Sequence, residues 1–95
     1  MDRPTMAALT TLRDAVITGN ALAARETTVA ALAAGVDPLA LVNDSMIPAM
    51  DVVGKKFETN EYFVPELLLS ARAMKGAMEL IRPLLAAREI GRAHV

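Results

Sequence analysis

The residues able to do acid–base, nucleophilic or metal chemistry are few in this chain and badly placed for it. The single histidine, His94, sits one residue from the end of the 95-residue sequence. A lone terminal imidazole is usually solvated, and a metal site would need partners beside it. No Glu-x-x-His pair occurs, which disfavours a di-iron carboxylate bundle. With no cysteine, a thiolate zinc site, a cysteine nucleophile and a disulfide scaffold are all excluded. The five glycines are isolated and build no phosphate-cradling loop. No Ser–His–acid set forms without recruiting His94. The carboxylates Asp51, Glu58 and Glu61 lie near Lys55 and Lys56 in sequence. Asp51 and Lys55 are four apart with the acid first, the better order for an exposed helical pair worth ~0.2–0.5 kcal/mol. A solvated face is the simpler reading, so no catalytic residue and no metal ligand is assigned.

The apolar groups are more informative. Met46, Met50, Met74 and Met78 fall on what would be inward helical stripes. Such a stripe usually fills a core, and it can also line an adaptable apolar site. All three aromatics, Phe57, Tyr62 and Phe63, stand within seven positions around Thr59-Asn60-Glu61, which reads as a turn. A turn is normally polar. Aromatics gathered there are a plug closing a bundle's end, a lid over a ligand, or a contact with another domain. Residue chemistry alone leaves these open.

Composition narrows the classes further. Ninety-five residues make one domain with a modest core. The apolar fraction is 54%, and eighteen alanines supply much of it, so the core is expected to be built from small side chains. A net charge of −1 is a poor footprint for nucleic-acid binding. No apolar run approaches the ~18 residues of a membrane span. Met1-Asp2-Arg3-Pro4 has no signal-peptide character. The expectation is a soluble cytoplasmic domain that binds neither nucleic acid nor membrane.

Helix formers dominate, and alternating strand patterns are missing. Thr5 is the candidate cap of a first helix over about residues 6–18, whose stripe is Leu9, Leu12, Val16 and Ile17. Gly19 stops it. Asn20 can cap a second helix over about 21–34, with Leu22, Val29 and Leu32 as its stripe and Gly35 as its stop. Asp37-Pro38 signals a third start. Pro48 lies inside that run, and a kink is expected there because Met46, Ile47, Met50, Val53 and Phe57 keep a helical stripe. Pro65 opens a last long helix, with Leu67, Leu68, Ala71, Met74, Met78 and Ile81 at helical spacing; Pro83 should bend or break it. The fold class is therefore all-α, an antiparallel four-helix bundle whose last two helices are long and kinked near Pro48 and Pro83.

The run from Met50-Asp51-Val52-Val53-Gly54-Lys55-Lys56-Phe57 through Tyr62-Phe63-Val64-Pro65-Glu66-Leu67 to Ser70-Ala71-Arg72-Ala73-Met74-Lys75 resembles the helical cap domain of corrinoid proteins. These are the cobalamin-carrying subunits of methanol, methylamine and related methyltransferase systems, together with the equivalent module of cobalamin-dependent methionine synthase. Gly35-Val36-Asp37-Pro38 and Ile47-Pro48-Ala49-Met50 also fit, and the resemblance covers about residues 6–90. It implies a four-helix bundle packed over the upper face of the corrin ring, shielding the methyl group of methylcobalamin. Phe57, Val64 and Leu67 would touch that face, with Val64 standing where many relatives carry Leu.

The family's cobalamin-binding half is an α/β domain with an Asp-x-His-x-x-Gly motif whose histidine ligates cobalt. That motif does not occur here, and His94 is not part of one. The resemblance therefore implies a cap domain over residues 1–90, with 91–95 a tail or the start of a linker to an absent cobalamin-binding α/β domain. On its own this chain should bind cobalamin weakly or not at all. Its partners would be that downstream domain and methyltransferase subunits. The competing expectation is a stand-alone helical interaction module, a homodimer through its exposed apolar face.

Overall fold

The helix ends are set by local backbone chemistry. In the computed structural model, which describes residues 3–93, α1 (Arg3–Thr18) runs into Gly19 at φ 72°. There the Asn20 N–H bonds the Ala15 carbonyl at 2.8 Å and the Gly19 N–H bonds Val16 at 3.1 Å, a Schellman closure. Thr5 thus lies in the first turn of α1 and not at its cap. Asn20 caps α2 (Ala21–Ala33), its side-chain oxygen accepting the Ala23 N–H at 3.0 Å. Gly35, at φ 88°, closes α2 as Gly19 closes α1.

Asp37 takes the Leu39 N–H at 2.9 Å and starts α3 (Pro38–Leu41). A π-helical turn (Val42–Met46) follows and leads into α4 (Ile47–Glu58). This turn is how the chain accommodates Pro48. Proline has no N–H to give, and its ring crowds the carbonyl four residues back. The wider turn lets the Ile47 N–H reach back to Val42 just before that point. Its buried Ser45 hydroxyl donates to the Leu9 carbonyl at 2.6 Å, tying the turn to α1.

The last helix, α5 (Val64–Ala93), passes through Pro83 without breaking, and its backbone is helical as far as Ala93. His94 lies outside the described residues.

The run from α3 through the π turn to α4 acts as one helical arm, and among the described elements α2 and α5 pack most extensively against each other. Their shared face is built from small residues: Ala24, Thr28 and Ala31 on α2, with Ser70, Ala73 and Ala77 on α5, all buried. The α2 stripe expected from the sequence is thus corrected. Leu22 and Val29 are exposed, because helices that approach this closely have room for alanine and not for leucine. The face of α5 shifts likewise, leaving Leu68 and Ala71 outside. Large side chains enter the core mainly from elsewhere: Leu12 and Val16 on α1, Leu41, Met46 and Val53 from the third run, and Ile81. Met50, Met74 and Met78 pack against this core, half-buried.

Candidate functional site

The five residues between α4 and α5 form a fixed corner. Thr59 caps α4 and Asn60 takes φ 64°. Asparagine tolerates this left-handed conformation better than most residues. The Glu61 N–H bonds the Lys56 carbonyl at 2.8 Å and the Asn60 N–H bonds Phe57 at 3.2 Å, a third Schellman closure. Across the corner, the Glu66 carboxylate accepts the Phe63 N–H at 3.0 Å, half of a capping box at the start of α5. Lys56 pairs with Glu61 at 3.0 Å and lies 5.4 Å from the centre of the Tyr62 ring. The Asp51–Lys55 pair suggested by spacing does not form; the acid that meets a lysine in this region is Glu61.

Tyr62 anchors the corner to the rest of the bundle. Its hydroxyl donates to the Ile17 carbonyl at 2.7 Å, and the buried Ser70 hydroxyl reaches the same oxygen at 3.3 Å. That carbonyl belongs to the last turn of α1, where no helical N–H remains to satisfy it. Of the three aromatics, then, Tyr62 faces inward, while Phe57 and Phe63 do not. Tyr62→Phe should cost about 0.5–1.5 kcal/mol, the usual worth of one such bond. Urea denaturation followed by circular dichroism would measure it, and amide exchange at 59–63 should rise with it.

This anchoring holds an apolar surface in the open. Phe57 on the last turn of α4 is 44% exposed and Val64, the first residue of α5, is 57% exposed. Phe63 and Leu68 are exposed beside them, and Leu67 is half-buried one turn along α5. The fold thus gathers Phe57, Val64 and Leu67 at one end of the bundle, two of them facing water. The plug reading of the aromatics fits Tyr62 alone.

Phe57, Val64 and Leu67 make this surface apolar, and none of the three carries a group that could ligate a metal or donate a hydrogen bond from its side chain. Among the described residues, no three His, Cys, Asp or Glu side chains gather where they could hold a metal ion. No helix among them is long and apolar enough to cross a membrane.

The fold and this corner define a small helical domain with an exposed apolar end. The chain belongs to the B12 binding domain family, whose profile matches residues 8–82 and so includes the whole corner. It is 38% identical over 72 residues to monomethylamine corrinoid protein 2 of Methanosarcina acetivorans, an alignment covering 76% of this chain and 33% of that protein. It is also 38% identical over 71 residues to trimethylamine corrinoid protein 1 of the same organism, covering 75% of this chain and 33% of that one. The solved structure of the Methanosarcina barkeri monomethylamine corrinoid protein superposes with a TM-score of 0.82 at 37% identity, over 85% of this chain and 38% of its own. The chain thus spans about a third of the length of the relatives it matches.

Proposed function

We propose that this domain is the helical cap of a corrinoid methyltransferase protein, lying over the upper face of cobalamin and shielding a methyl group carried there. Methylcobalamin supplies, when bound, a methyl group held on cobalt and ready for transfer. The chain's own residues would supply the cover. Phe57, Val64 and Leu67 lie against the macrocycle and exclude water, and none of them carries a donor or nucleophile that competes for the reacting centre. The observation that carries this reading is the exposed apolar surface of Phe57 and Val64, held rigidly by Tyr62 and Ser70 on the Ile17 carbonyl. The cobalt ligand and most cofactor contacts would come from an α/β domain following this one, and the methyl donor and acceptor from partner methyltransferases. For transfer, the cap must move aside as a body, which the stiffness of the corner favours over local unfolding.

The test joins this chain to a cobalamin-binding α/β domain and follows photolysis and oxidation of bound methylcobalamin. Phe57→Ala should speed both by on the order of tenfold, corresponding to about 1.4 kcal/mol of lost apolar contact. Rates that do not change between the variant and the parent would sink the capping role.

The same exposed surface favours a second reading, a homodimer through the uncovered corner. Sedimentation velocity of the isolated chain separates the two. A concentration-dependent dimer weakened by Phe57→Ala supports self-association, and a strict monomer removes it.

A further inference from the structure

The exposed face of α5 changes character along its length. Val64, Leu68, Arg72, Lys75 and Glu79 lie within one narrow arc of the helix, all of them exposed. Beyond Leu68 this arc borders a groove of about 400 Å³ between α2 and α5. Arg25 and Leu22 line its α2 wall, and Arg72, Lys75 and Glu79 its α5 wall. Three cations and one carboxylate thus share one groove, on a chain whose net charge is −1. Among the described residues the ion pairs are Arg13–Asp14 and Lys56–Glu61, and neither involves a groove residue. Glu79 sits at the far end, and its carboxylate is beyond ion-pair distance of any of the three cations. Leu22 stands beside them 67% exposed, the most exposed of the large apolar side chains among the described residues.

The three cations are exposed and outside the ion pairs of the described residues, so they give the groove a local positive potential without adding measurably to the stability of the bundle. A groove this open gives a small anion little enclosure. A charged rim around one protruding apolar residue is instead the pattern of a protein docking surface.

We propose that the α2–α5 groove docks an acidic protein surface, one that presents carboxylates to Arg25, Arg72 and Lys75 and a shallow apolar pocket to Leu22. Arg25 and Arg72 can each hold a carboxylate through two parallel N–H bonds, and Lys75 acts as a point charge between them. The surface lies on the flank of the bundle, beside the apolar corner and not across it. A partner seated there would grip the domain while leaving Phe57 free. The proposal is independent of the capping role, and its test uses no cobalamin.

The experiment is an NMR titration of the 95-residue chain with a synthetic peptide of alternating glutamate and leucine, with an alternating lysine–leucine peptide and inorganic pyrophosphate as comparisons. The glutamate peptide should shift the amides of residues 21–25 and 72–79, with affinity falling at least about tenfold between 50 and 500 mM NaCl, as screening of exposed charges requires. The double variant Arg72→Glu and Lys75→Glu should abolish the shifts while leaving the helical circular dichroism spectrum intact. Should charge reversal disturb the fold, Arg72→Gln with Lys75→Gln should still weaken binding about tenfold, and Leu22→Ala should weaken it at every salt concentration. Shifts centred on residues 57–68, equal binding of the lysine peptide, or no binding of the glutamate peptide would each overturn the proposal. Pyrophosphate binding more tightly than the peptide would also overturn it, making the groove a small-anion site.

Discussion

Gly19→Ala should be among the most damaging single substitutions in this domain, costing about 2–5 kcal/mol. Two separate penalties add. Gly19 sits at φ 72°, where a side chain strains the backbone by about 1–2 kcal/mol. A Cβ there would also stand 2.6 Å from the Leu69 Cβ and 3.2 Å from the Leu69 carbonyl carbon. The second contact is backbone, so α5 itself must retreat, and overpacking of this kind adds about 1–3 kcal/mol. Gly35→Ala isolates the first penalty. Its φ is 88°, yet nothing lies within 4 Å of the added carbon. That variant should lose only about 1–2 kcal/mol. Urea denaturation of both proteins gives the packing term by difference, and equal losses would show that α5 yields freely at Leu69. The loss at Gly19 would also reach the candidate site, because the displaced segment contains Ser70, which holds the Ile17 carbonyl together with Tyr62.

That contrast shows what was readable in the sequence. The stops at Gly19 and Gly35, the cap at Asn20, the restart at Asp37-Pro38 and the start at Pro65 all rest on chemistry within a few residues of the chain. Each appears at its expected place. Family membership was legible for the same reason, since the run from Met50 to Lys75 is contiguous. What the sequence concealed depends on distance between helices. The closeness of α2 to α5 decides that Ala24 and Ala31 are core while Leu22 and Val29 are not, and no local pattern states how near two helices lie. At Pro48 the sequence announces the disturbance but not its form. That form, a π turn pinned by Ser45 to Leu9, depends on the neighbouring helix. The aromatic cluster was legible as apolar. That Tyr62 turns inward while Phe57 faces water follows from a carbonyl at the end of α1, far away in sequence. The groove cations were invisible for the same reason, Arg25 being separated from Arg72 and Lys75 by two helices.

Leu12→Ala should destabilise the domain on a similar scale, by about 3–5 kcal/mol, for a reason rooted in the alanine-rich composition. A core of small side chains draws its large-residue packing from few positions, and Leu12, fully buried, is one of the bulkiest. Truncating it loses the transfer free energy of the missing atoms and leaves a void. Neighbouring side chains relieve such a void only if they can lean into it. Alanines such as Ala24, Ala49, Ala73 and Ala77 have no rotamers with which to do so. The half-buried methionines, Met50, Met74 and Met78, are the residues flexible enough to compensate. They lie on the flank of the core, so collapse toward Leu12 would draw them away from the face they now support. Against a total stability of about 5–15 kcal/mol for a domain of this class, the loss should place the variant near its unfolding midpoint at moderate urea. Leu12→Met, which conserves volume and can repack, should cost less than about 1.5 kcal/mol. Denaturation midpoints of the two variants give the comparison, and a Leu12→Ala cost below about 2 kcal/mol would mean that the methionines do repack and that this alanine-rich core is softer than its composition implies.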